Sequence, residues 1–153
     1  MFKKFAILAV VAGIGATAAF AQMTADDNIR ARQAAMKQQG KSTFGVMAKM
    51  FKGEAPFDAA AVKAELDAMG AAYGAFEAAG GWKAEFATGT IETWAKPEIW
   101  SDPEGFKAVG AAMGAAWGPL AAAQDEAAFK AAFPAFANGC KGCHEKFRRP
   151  KEG

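Results

Sequence analysis

Both cysteines and the single histidine of this chain fall within five residues near its C-terminus, Cys140-Lys141-Gly142-Cys143-His144. Thiols three positions apart in a helix lie about one turn apart. Both can therefore reach the two vinyl groups along one edge of a porphyrin, and an imidazole at the next position points a ring nitrogen at the iron from one face. C-x-x-C-H in this arrangement is the attachment sequence for c-type haem. The pattern predicts one covalent haem c, held through Cys140 and Cys143, with His144 as axial metal ligand. A redox disulfide of the thioredoxin type also uses C-x-x-C but expects a βαβ context, which this chain does not show. A structural zinc site needs four ligands, and two Cys with one His supply three.

The iron's other face has no second histidine to call on, so bis-histidine ligation within the chain is excluded. No Met follows Cys143, and a thioether ligand would have to come from upstream, among Met23, Met36, Met47, Met50, Met69 and Met113. Met at helical spacing also serves as adaptable core filler. Without a sixth ligand the iron is five-coordinate.

The elements that must position these groups read as helices. Thr24-Ala25-Asp26-Asp27 offers a cap and acidic first-turn residues for a helix running to about Lys52, with apolar positions at Ile29, Met36, Met47, Met50 and Phe51. Asp58 can cap a second helix whose stripe is Val62, Leu66, Met69, Tyr73 and Phe76, stopped by Gly80-Gly81. Trp82 to Trp100 is aperiodic and holds three of the four tryptophans; so long a connection in a compact domain points to function. Ser101-Asp102-Pro103-Glu104 starts a third helix with the stripe Phe106, Val109, Met113, Trp117, Leu120, and Gly118-Pro119 should weaken or kink its end. Asp125 can cap a fourth, with Phe129, Phe133, Phe136, Cys140, Cys143 and Phe147 on one face. Pro134 inside it should remove a hydrogen bond and bend the axis. Four amphipathic, alanine-rich segments without alternating β-branched runs predict an all-α, antiparallel four-helix bundle around the haem.

The chain opens Met1-Phe2-Lys3-Lys4, continues with an apolar run from Phe5 to Phe20, and reaches an A-x-A pattern at Ala19-Phe20-Ala21. This is the layout of a secretory signal peptide, with residues 1–21 cleaved and residues 22–153 forming one domain. The apolar run is short for a membrane span, so no span is expected after cleavage. Export suits haem attachment, which takes place outside the cytoplasm, and a periplasm is the compartment expected. The formal net charge is +2 and falls towards zero when Lys3 and Lys4 leave; no basic excess argues for nucleic acid. Lys146, Arg148, Arg149 and Lys151 form a local basic run. It would steer an acidic redox partner, or simply suit a helix C-terminus.

Three stretches resemble the cytochrome c′ family, the class II c-type cytochromes. They are Arg32-Gln33-Ala34-Ala35-Met36, similar to R-x-x-x-M/L/F; Ala95 through Asp102, similar to K-P-E-I-W-x-D; and Cys140 through Arg148, similar to C-x-x-C-H-x-x-F/Y-R. The resemblance covers essentially the whole mature chain. It implies that Arg32 and Gln33 lie by the haem propionates, Glu92 and Thr93 contact the haem edge, Arg148 lies over the proximal face and Met36 stands over the distal face. It implies single-electron transfer, with a five-coordinate iron that binds NO or CO, or, in low-spin relatives, a His/Met iron acting only as electron carrier. It also implies a homodimer through the first two helices and redox partner proteins in the periplasm. An enzyme such as a peroxidase needs distal acid–base groups; the only His is spent on the proximal side, so no catalytic residue is assigned.

Overall fold

The computed structural model describes residues 23–150; the signal-peptide assignment and Lys151 lie outside them. The described residues form helices α1 (Ala25–Gly40), α2 (Ala48–Lys52), α3 (Ala59–Ala78), α4 (Glu98–Ser101), α5 (Pro103–Ala121) and α6 (Glu126–Phe147), with a π-helical segment at Lys41–Met47 and a 3₁₀ turn at Ala84–Phe86. α1, the π segment and α2 follow one another without a break and make the first long rod of the bundle, reaching Lys52 as expected. α3, α5 and α6 are the other three, giving the antiparallel four-helix bundle.

The caps lie where the sequence puts them. Thr24 and Asp27 form a reciprocal capping box on α1. Asp58 accepts from the Ala60 and Ala61 amides, and Asp125 accepts from the Ala128 amide. At α5 the cap is Asp102, which accepts from the Gly105 amide with Pro103 in the first turn. Gly80 and Gly81 end α3 at φ 100° and 57°, a left-handed region that costs a glycine no steric penalty. α5 continues through Gly118-Pro119 to Ala121, and α6 runs through Pro134 to Phe147.

Packing divides the bundle into two zones. Towards the α2–α3 and α5–α6 connections lies a dry core of Met47, Met50, Val62, Leu66, Met69, Leu120, Phe129, Phe133 and Phe136, in which Phe129 and Phe133 stack at 5.5 Å. Towards the other end the apolar stripes separate and enclose a cavity. There Asn28, fully buried in α1, donates to the carbonyls of Ala79 (2.8 Å) and Gly81 (3.0 Å), fastening α1 to the end of α3. Asp26 reaches into the aperiodic connection: it accepts from the Thr90 amide at 2.7 Å, from the Thr90 hydroxyl, and from the Ile91 amide at 3.3 Å.

These bonds hold the Asp26 carboxyl below the ordinary carboxylate range, the Thr90 hydroxyl contributing most. A carboxylate depressed in the folded state contributes stability that is complete above its unfolded pKa, about 3.9, and is lost as pH falls through the folded value. Asp26→Asn is therefore expected to unfold more easily than wild type at neutral pH, with the gap closing below about pH 4. Denaturant melts followed by circular dichroism across pH 2–7 measure this; a gap of constant size at every pH would show that the charge is irrelevant.

Candidate haem site

The C-terminal half of α6 places Cys140, Cys143 and His144 at i, i+3 and i+4, on one side of the helix. All three are half-buried and line one cavity of about 2220 Å³. That volume exceeds the roughly 300–1,000 Å³ of an ordinary small-molecule pocket. α1 lines it with Arg32, Gln33 and Met36. α5 contributes Phe106, Val109, Met113 and Trp117, and the Trp82–Trp100 connection contributes Glu92, Thr93 and Trp94. Every site residue picked from the sequence thus meets in one place: Arg32, Gln33, Met36, Glu92, Thr93, Cys140, Cys143, His144 and Arg148 all line this cavity.

The electrostatics suit haem attachment better than the rival chemistries. Burial pushes both thiols above their ordinary pKa, with the Cys143 charge adding to the effect at Cys140. Redox-active C-x-x-C thiols are shifted the other way. Burial, and then the Arg148 charge, lower the His144 pKa, which leaves a neutral imidazole with a lone pair for a metal. Among the described residues no three His, Cys, Asp or Glu side chains gather as a metal-holding cluster.

A second wall is built from long-range contacts. Arg32, 3% exposed, donates from Nη2 to the Thr93 hydroxyl at 2.9 Å. Its guanidinium carbon lies 5.4 Å from the Trp82 ring centroid and 5.7 Å from that of Trp100. Burial lowers its pKa, and its Nη1 is buried with no protein partner. An unpaired cationic donor in a dry wall is costly, and a carboxylate of a bound cofactor would satisfy it. Gln33 donates to the Glu92 carbonyl at 2.8 Å. Arg149 donates to the Thr93 carbonyl and pairs with the Glu92 carboxylate at 3.6 Å. Arg148 forms a β-bridge with Ala95 and is anchored by its amide to the His144 carbonyl at 3.1 Å. Two neutral thiols, a neutral imidazole, an apolar slot and an unsatisfied buried guanidinium form a set that fits haem.

Some of the wall was not singled out in sequence. Trp82 and Trp100 hold Arg32, Trp82 donates to the Tyr73 hydroxyl at 3.3 Å, and Trp100 donates to the Trp82 carbonyl at 2.9 Å. The concentration of tryptophans in an aperiodic stretch was the available signal. Arg149 also joins the site through Thr93 and Glu92.

A helical bundle with C-x-x-C-H on the wall of a cavity large enough to take a porphyrin defines a bundle-type c haem protein. The family described as Cytochrome C′ matches residues 27–148. Cytochrome c′ of Alcaligenes xylosoxydans is 36% identical over 129 residues, covering 82% of this chain and 96% of the relative. Cytochrome c′ of Rhodopseudomonas palustris is 35% identical over 148 residues, covering 94% and 97%. Cytochrome c-556 of Agrobacterium fabrum is 33% identical over 126 residues, covering 80% and 82%. Among solved structures, cytochrome c′ from Rubrivivax gelatinosus superposes with a TM-score of 0.72 at 35% identity, covering 82% of this chain and 98% of that one. The nitric oxide complex of a leucine-to-alanine mutant of the Alcaligenes xylosoxidans protein gives 0.69 at 34%, covering 84% and 98%. The chain belongs to the cytochrome c′ family, whose members carry covalently bound haem c.

Proposed function

We propose that Cys140 and Cys143 hold the haem through thioethers, that His144 is its proximal ligand, and that the protein moves single electrons in a periplasm. We further propose an iron that is five-coordinate and open to NO or CO, with Met36 standing over it as a steric guard. The observation that carries the site is the meeting of C-x-x-C-H, Met36 and the unpaired Arg32 Nη1 around one cavity. The nitric oxide complex of the Alcaligenes relative supports the open distal face.

The haem supplies reversible one-electron chemistry and an axial position for a diatomic ligand. The chain supplies the rest. Cys140 and Cys143, one helical turn apart on one side of α6, would hold the haem through two thioethers. Arg32 would hold a propionate carboxylate through Nη1, its guanidinium kept in place by Trp82, Trp100 and Thr93. Met36 would narrow access to the iron, and the apolar rings of Phe106 and Trp117 would exclude water.

Residues 1–21 act in this reading as a cleaved export signal, and 22–153 as the exported domain. No helix among the described residues is long and apolar enough to cross a membrane. A homodimer through the first two helices belongs to the same reading.

Optical spectra of the purified holoprotein, ferric and reduced, with and without CO, test the coordination. A broad ferrous Soret band that sharpens and gains intensity with CO is expected, and Met36→Ala should leave it five-coordinate while speeding CO binding. The competing reading is a His/Met iron acting only as electron carrier, which Met36's position on the cavity wall also permits. Sharp α and β bands indifferent to CO, lost in Met36→Ala, would establish that reading instead.

A further inference from the structure

Charge around the haem cavity is sorted in a way the chain as a whole is not. The full sequence holds 18 cationic and 16 anionic side chains. The residues lining the cavity include eight Lys or Arg and only two carboxylates, Glu92 and Glu145. Two haem propionates leave a clear positive excess. The cations come from four separate segments: Lys37 on α1, Lys107 on α5, Lys141 on α6, and Arg148 and Arg149 beyond it. Lys37, Lys107 and Arg148 make no salt bridge among the described residues. Lys141 and Arg149 have only loose carboxylate partners, at 3.7 and 3.6 Å.

The C-terminal part of this rim is held in place. The Ala95–Arg148 bridge is flanked by the Lys96 amide bonded to the Phe147 carbonyl at 3.0 Å and the Arg149 amide bonded to the Trp94 carbonyl at 2.8 Å. Trp94, 39% exposed, and Phe44, 62% exposed, lie on the same cavity wall. A cationic ring anchored at its C-terminal part, with a few exposed aromatic contacts, is the composition of a protein-docking face.

We propose that this rim is the docking face for a small acidic electron-carrier protein, which meets the haem edge there. The inference rests on the electron-transfer reading above and names its partner class. A lipid surface is the other anionic body such a face would attract, but the cations of a membrane-surface helix line one face of that helix. These are set round a concave mouth from four segments, which matches a convex acidic protein surface. Like-signed clefts of this kind raise encounter rates by about 10–10³-fold at low salt, and the gain fades as the Debye length shrinks from roughly 30 Å at 0.01 M to about 8 Å at 0.15 M.

The test uses the holoprotein and, as probe, a reduced plant-type [2Fe–2S] ferredoxin, which is acidic. One electron passes from the reduced cluster to the ferric haem, and haem absorbance in a stopped flow follows it. The second-order rate constant is expected to fall about tenfold or more between 10 and 200 mM salt. Lys37→Glu with Lys107→Glu should lower the rate at 10 mM about tenfold or more and flatten the salt dependence. Lys63→Glu with Lys130→Glu changes net charge equally away from the cavity, and should lower it less than about threefold. Both variants should show wild-type dithionite-reduced spectra, which establishes folding and an intact site. Equal losses in the two variants would reduce the effect to net charge and overturn the proposal. So would a salt-independent rate, or loss of binding to anionic phospholipid vesicles in the rim variant with ferredoxin rates unchanged. Absence of covalent haem in the purified protein would defeat the underlying reading, and this proposal with it; a normal haem spectrum with unresponsive rates would defeat this proposal alone.

Discussion

Cys140→Ala with Cys143→Ala is expected to convert a haem that stays with the polypeptide in acidified organic solvent into one that extracts completely. In the wild type only the two C–S bonds resist that solvent, because acid protonates the axial imidazole and unfolding removes the apolar slot. The stability loss should be large as well. The cavity of about 2220 Å³ lies between the stripes of four helices, and the half-buried Phe106, Val109, Met113 and Trp117 present their apolar surface to it. In the holoprotein the macrocycle completes that part of the core. Covalent attachment keeps it there regardless of dilution, whereas a free ligand stabilises only as RT ln(1 + [L]/Kd). Losing an advantage equivalent to a 1,000-fold excess over Kd removes about 4 kcal/mol, and in a domain of this size that lowers Tm on the order of 10 °C or more. Acid–organic extraction and a thermal melt give both readings. Haem retained by the double variant would refute the attachment site. Single replacements should keep one thioether and so resist extraction.

The turn proposed to hold the haem stands out in the sequence because its chemistry is local: three side chains at fixed spacing define it. The bundle was legible for a similar reason, since Val62, Leu66, Met69 and Phe76 repeat at helical period and all four are buried. Periodicity does not say what an apolar face meets. Tyr73 continues that stripe yet is exposed beside the cavity, and Phe106, Val109, Met113 and Trp117 form an apolar face that is only half-buried. The π segment at Lys41–Met47 is also invisible in the pattern. One extra residue shifts the phase of a stripe by roughly 100°, but the segment is only seven residues long and holds too few apolar positions to display the shift, while Ser42 and Thr43 are buried polar residues within it. Ser42 accepts from Gln38 at 3.0 Å and donates to Glu65 at 2.6 Å, so its hydroxyl joins α1 to α3. Arg32 shows the other limit. Resemblance put it beside a propionate, but its hold between Trp82 and Trp100 depends on residues fifty and more positions away. No local signal records such a contact, and only folding brings the tryptophans to it.

His144→Ala is expected to separate attachment from coordination. Cys140 and Cys143 sit on the same helical face and do not need the imidazole to form their C–S bonds, so the haem should stay covalent. The iron should lose its protein ligand on that side, since the remaining lining offers no second imidazole and the Arg148 guanidinium in the same lining cannot donate a lone pair. The Soret maximum and reduction potential should both move, because axial-ligand identity is one of the main controls over each. The variant also leaves a pocket of imidazole shape beside a half-buried helix end. Added imidazole should enter it and return the spectrum towards wild type, with saturable binding. Arg148→Ala serves as a contrasting variant. It removes the charge that, after burial, helps depress the His144 pKa, but leaves the imidazole in place, so its spectrum should stay near that of wild type. A spectrum unchanged in His144→Ala would refute the ligand assignment, and covalent haem with altered, imidazole-rescued bands would tie the iron to this one side chain.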